Sequence, residues 1–140
     1  MENFEIVELA QDIKNKFGND PINICNELGI KINYMNLNPK SYKAYTMSIS
    51  DNPVISINNN FTETSQKVLC AHELGHALMH KNKTINQFED INNGIFEYEA
   101  NLFAVSLLFD TDNFNLDILN MDNYILKGIL DYNLFLKSKV

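Results

Sequence analysis

Ile6, Val7, Leu9, Ala10, Ile13 and Phe17 recur at helical spacing, so the chain is expected to open with an amphipathic helix that Gly18-Asn19-Asp20-Pro21 ends. A second, shorter helix is predicted from Ile22 to Leu28, closed by Gly29. The period then changes. Ile30-Lys31-Ile32-Asn33-Tyr34 alternates as a half-buried strand does, Ser41 to Ile49 alternates imperfectly, and Pro53 to Asn58 reads as a third strand. Turn-rich segments, Asn36 to Lys40 and Ser50-Asp51-Asn52-Pro53, separate the three and predict an antiparallel meander. A long helix is expected from Thr62 to His80, with Thr62 as its cap and Glu63 at its positive end. Lys81 to Asn93 reads as a loop, Ile95 to Phe109 as another helix, Asp110 to Asn115 as a break, and the tail as one or two more helices through Leu136.

Composition narrows the function classes. Hydrophobic residues make up 45% of the 140, enough for a core. The formal charge is −7, from 18 acidic and 11 basic residues, and every basic residue is lysine. A nucleic-acid binder would want the opposite balance and the arginine fork, so direct nucleic-acid contact is not expected. The first residues lack the basic and apolar regions of a signal peptide, and no apolar run reaches membrane-spanning length. Cys25 and Cys70, far apart in sequence, read as two reduced, buried thiols, which points to a cytoplasmic protein.

The chemistry lies in His72-Glu73-Leu74-Gly75-His76, an HExxH motif. On a helix, His72 and His76 are one turn apart and can share one tetrahedral zinc ion. Glu73 falls about 100° from His72 and about 60° from His76, flanking the ion where a base for zinc-bound water must stand. Ser65, Gln66, His72, Glu73, His76 and His80 share one polar sector, and Val68, Cys70, Ala71, Leu74, Ala77, Leu78 and Met79 fill most of the remaining circumference. Leu69 is the apolar residue within the sector, and Lys67 the charge outside it. The pattern is a buried helix with one polar stripe. Cys70 lies opposite His72 and is excluded as a ligand.

A third ligand is expected from Glu97-Tyr98-Glu99-Ala100-Asn101. The helical projection turns Glu97 into an apolar neighbourhood, where a carboxylate needs a compensating cation, and puts Glu99 about 200° away on a solvent-facing polar strip beside Ser106. Glu97 is therefore the preferred ligand and Glu99 the alternative. Asn101 reads either as a partner fixing a ligand histidine's tautomer or as a buried local cap. His80 reads as a helix-end histidine on the C-terminal dipole, with substrate binding or proton transfer as the other roles. Gly75 costs helix stability, about 1 kcal/mol against alanine, and leaves room for another element to approach.

These residues resemble a known family. Thr64-Ser65-Gln66-Lys67 leading into Ala71-His72-Glu73-Leu74-Gly75-His76-Ala77-Leu78-Met79-His80, then Glu97-Tyr98-Glu99-Ala100-Asn101-Leu102-Phe103-Ala104, are similar to the ImmA/IrrE metallopeptidases, as is Val54-Ile55-Ser56-Ile57-Asn58 before them. The resemblance implies a zincin-like fold of the thermolysin type, with the third ligand supplied by an E-x-x-x-D/N pattern that maps to Glu97 and Asn101. It also implies action beside helix-turn-helix repressors of mobile elements, prophages or stress responses, which such proteins cleave. The expected architecture is α+β: a zincin-like metallopeptidase domain over residues 1–109, its small, mostly antiparallel sheet packed on the HExxH helix, and a helical extension over 110–140 packed on the same domain. The expected function is a Zn2+-dependent endopeptidase with His72, His76 and Glu97 as ligands and Glu73 as general base. The strand from Val54 to Asn58 is expected at a sheet edge, pairing with substrate. The alternative is a non-catalytic zinc module that sequesters a repressor, for which the acidic surface suits a basic partner.

Overall fold

The computed structural model describes residues 1–80, 90–111 and 117–138. The first helix, α1 (Asn3–Phe17), carries a capping box in which the Glu2 amide donates to Glu5 Oε1 at 2.9 Å. It buries Ile6, Ala10 and Ile13, one face at helical spacing. α2 (Pro21–Leu28) is capped by Asp20, which accepts from the Ile22 amide, and Gly29 ends it at a left-handed φ of 73°. Both helices follow the sequence pattern.

The sheet does not follow the expected meander. β1 (Lys31–Met35), β2 (Ala44–Ile49) and β3 (Asn52–Asn58) lie in the order β1-β3-β2. β2 and β3 form an antiparallel hairpin, Thr46 opposite Ile55, turned through Ser50 and Asp51, both at positive φ as a two-residue hairpin requires. β1 instead pairs parallel with β3, Ile32 opposite Ile55. The sheet is mixed, and β3, expected at an edge, is its centre. The physical reason is burial. Val54 through Asn58 is buried at every position, on both faces, as a central strand is, whereas β1 and β2 are at most half-buried. The edge strand on the hairpin side is β2.

α3 (Glu63–Met79) crosses the middle of the molecule. Thr62 Oγ1 accepts from the Ser65 amide at 3.2 Å, the expected cap. Its buried residues include Val68, Cys70, Ala71, Leu74, Ala77, Glu73 and His76, so it packs on almost all sides. α4 (Asp90–Leu108) begins earlier than the pattern predicted, and residues 81–89 of the expected loop lie outside the described residues. Gly75 is where α3 and α4 meet: a Cβ there would lie 3.2 Å from Ala100 Cα and 3.2 Å from Phe103 Cδ1. The anticipated close approach is therefore real. Beyond a short 3-10 turn (Ile118–Asn120), α5 (Asn123–Tyr132) is capped by Asp122 and buries Leu126 and Leu130. α5 stops short of Leu136, which instead forms a bridge with Phe61. The Thr62 amide donates to the Phe135 carbonyl at 2.8 Å and the Lys137 amide to the Asn60 carbonyl at 2.7 Å, so the tail is tied to the start of α3. No helix among the described residues is long and apolar enough to cross a membrane.

Candidate metal centre

One stripe of α3 and one turn of α4 face each other across a cleft of about 450 Å³. His72, Glu73, His76, Glu97 and Asn101 line it, β2 supplies Ala44, Tyr45 and Thr46, and Leu130 and Leu134 close the far side. His72 and His76 stand one turn apart with ring centroids separated by 4.8 Å. Glu97 reaches both: its Oε2 is 3.1 Å from His72 Nε2 and its Oε1 is 2.9 Å from His76 Nε2. The three side chains form a group able to hold a metal ion, with one ligand atom from each within 4.8 Å of the others. A tetrahedral ion with bonds of about 2.0–2.1 Å spaces its ligand atoms roughly 3.3 Å apart. The two separations between histidine nitrogen and Glu97 oxygen, 3.1 and 2.9 Å, are close to that spacing.

The donor chemistry fits as well. Neutral imidazole Nε2 atoms presented to the cleft carry lone pairs, as does the Glu97 carboxylate, and lone pairs facing one another at about 3 Å need a shared proton or a cation between them. Without a metal the protons serve. Burial alone would lower the His72 pKa, but the Glu97 hydrogen bond, the charges of Glu73 and Glu97 and a hydrogen bond with Asn101 outweigh it and raise it above its ordinary value. Burial would raise the Glu97 pKa, yet hydrogen bonds with His72 and His76 and their charge hold it well below the usual carboxylate range. A divalent ion would supply the same positive charge at the same place.

Glu73 lies beside this group, its Oε2 3.8 Å from His72 Nε2. Thr46 Oγ1 donates to Glu73 Oε1 at 2.9 Å and also lies 3.3 Å from the Glu73 carbonyl oxygen. The carboxylate is thus fixed from the sheet side. Asn101, besides its bond with His72, donates from Nδ2 to Asn123 Oδ1 at 2.7 Å, which orients its amide. Cys70 sits away from the cleft, its Sγ 3.7 Å from that of Cys25, and this contact together with burial pushes its thiol pKa far up.

A profile of the peptidase M78 family, described as the IrrE N-terminal-like domain, matches residues 25–137. The chain belongs to that family. It is also 30% identical over 104 residues to a protein of Bacillus phage phi105 named "Uncharacterized immunity region protein 2". That match covers 69% of this chain and 62% of the phage protein, so the chain spans less than two thirds of its relative's length. No solved structure matches the chain.

Within this M78 domain, two expectations about α4 change. Glu97 does not enter an apolar neighbourhood. Its side chain is 41% exposed and opens on the cleft. Glu99 is largely shielded from solvent and does not face the His72–His76 pair. Its side chain is 12% exposed, its Oε1 lies 2.9 Å from His80 Nε2, and its Oε2 lies 3.6 Å from the Met1 amine. Ser106, its expected companion on a wet strip, is fully buried. His80 likewise turns inward rather than toward the helix-end carbonyls, with Nδ1 2.9 Å from His76 Nδ1. Thr46 was not singled out by sequence reasoning. Its only signal is the alternation of β2, which puts Ala44 and Thr46 on one face, and nothing in that period says that α3 lies against that face.

Proposed function

We propose that this chain is a zinc-dependent endopeptidase that cleaves a helix-turn-helix repressor of a mobile element, prophage or stress response. The observation that carries the reading is the convergence of His72, His76 and Glu97 with Glu73 poised alongside. Zinc is the ion this nitrogen-rich, small-radius donor set suits, with three protein ligands and a position left for water. When bound it would supply Lewis acidity at the scissile carbonyl and acidify the attacking water.

The chain's own residues do the rest. Glu73 takes the proton from water in the cleft and returns it to the leaving amine. Thr46 holds one Glu73 oxygen, so the other, Oε2, faces the histidines and is the oxygen that receives the proton. An extended substrate would add to the outer edge of β2, unpaired among the described residues and bordering the cleft, rather than to β3, whose two sides are already paired. Two findings support a repressor as the substrate: the phage relative's name places it in an immunity region, and the net charge of −7 complements a basic DNA-binding partner. The cytoplasm, where such repressors work, is the compartment this reading implies.

The test is incubation with the repressor encoded beside this chain's gene. Zinc-loaded protein should release fragments, a chelator should stop it, and Glu73→Gln should retain zinc while losing roughly 10²–10⁴-fold in rate. A repressor held intact, equally by the native chain and by Glu73→Gln, would replace this reading with the sequestering module.

A further inference from the structure

Behind the cleft, on the side of His76 away from Glu97, runs a chain of polar contacts. His76 Nδ1 is 2.9 Å from His80 Nδ1, and His80 Nε2 is 2.9 Å from Glu99 Oε1. His80 is 4% exposed, and its ring lies against Phe96 with centroids 4.3 Å apart. It is not among the residues lining the cleft, and both its ring nitrogens are engaged away from it. Two histidines buried nitrogen to nitrogen leave the direction of the bond open unless something outside the pair sets it.

We propose that Glu99 and His80 are positioning residues that fix the tautomer and orientation of His76, and that they thereby set how tightly the cleft holds its metal. For a neutral His80 the carboxylate sets the polarity. A carboxylate accepts and does not donate, so His80 carries its proton on Nε2. His80 Nδ1 is then an acceptor, and His76 must donate to it from Nδ1. That leaves the lone pair of His76 on Nε2, the atom that faces Glu97 and the cleft. A ligand histidine ordinarily donates its second N–H straight to a carboxylate, a carbonyl or a water. Here a second imidazole stands between, and it carries the influence of Glu99 one helical turn along α3. His72 has a hydrogen bond of its own with Asn101.

The inference rests on His76 being a metal ligand. It is tested by zinc affinity, measured by competition with a chromogenic chelator, and by nitrogen-15 imidazole spectra of the zinc-loaded protein. His80→Phe keeps a ring against Phe96 but removes the acceptor, and Glu99→Ala removes the anchor. Each should weaken zinc binding about 10–100-fold. His80→Gln, whose amide can accept from His76 and donate to Glu99, should bind within a few-fold of the native chain. The spectra of the native chain should show His80 protonated at Nε2 and His76 at Nδ1. Native affinity in a folded His80→Phe protein, or His80 protonated at Nδ1 in the native spectra, overturns the relay and leaves the metal site standing. A native chain that takes up no zinc through His72 and His76 removes the site and the relay together. The spectra need no variant, so they decide the matter even if the substitutions do not fold.

Discussion

At the scale of single residues, the site combines groups that the HExxH pattern names with groups it does not. His72, Glu73 and His76 are adjacent by helical geometry alone. Thr46 comes from a strand more than a turn of chain topology away, yet its hydroxyl is the closest partner of the Glu73 carboxylate among the described hydrogen bonds. Hydrogen bonds to a charged group contribute about 1.5–3 kcal/mol, and here that energy restrains the base. Thr46→Val keeps the shape and the strand propensity. It should lower kcat on the repressor while zinc content and melting temperature stay near native, and steady-state kinetics beside metal analysis would check this. Unchanged kcat would mean that Glu73 needs no restraint from the sheet. Glu97 and Glu99 show how two carboxylates two positions apart divide. One opens on the cleft between His72 and His76, and the other turns behind the site to His80.

Among elements, the contact of α3 with α4 decides whether the site exists, because His72 and His76 ride on one and Glu97 on the other. Gly75 sets the distance of approach. Alanine there would gain about 1 kcal/mol in helix propensity, set against a Cβ pressed on the Ala100 backbone. Valine adds two further methyl groups where no space exists, and overpacking of that kind costs typically 1–3 kcal/mol. Gly75→Val should lower the melting temperature and, by spreading α3 from α4, weaken zinc binding. Thermal denaturation and chelator competition read the two effects separately, and native zinc affinity in this variant would show that the inter-helix spacing is not what aligns Glu97. The sheet contributes in a different way. By placing β3 in the middle, the fold puts β2 at an edge of the sheet bordering the cleft, so the strand that touches Glu73 also has an edge unpaired among the described residues.

Over the whole molecule, the candidate centre joins parts that are otherwise held by apolar packing: α3, α4, β2 and, through Asn101 and Asn123, α5. An ion that binds this folded arrangement and not the unfolded chain stabilises it by mass action, about 2.7 kcal/mol when free metal is 100-fold above Kd. For a chain of this size that corresponds to a rise of roughly 5–10 °C in Tm. Stripping metal should therefore lower Tm, with zinc restoring it. His72→Ala should abolish the zinc-dependent part of the shift. A Tm indifferent to zinc would argue against uptake at this centre.

How much of this was legible depends on the range of the interaction. The sequence by itself determined α1, α2 and α3, the cap at Thr62, the stop at Gly29 and the polar stripe of α3. Each of these follows from periodicity or from chemistry within one or two helical turns. Tertiary structure alone decided the strand order, since the burial of β3 on both faces depends on what packs above and below it. It also decided that Thr46 meets Glu73, that Cys25 meets Cys70, and that Glu99 reaches His80 instead of water. Those contacts join residues far apart along the chain, and a local period records which face a side chain occupies but not what stands opposite it.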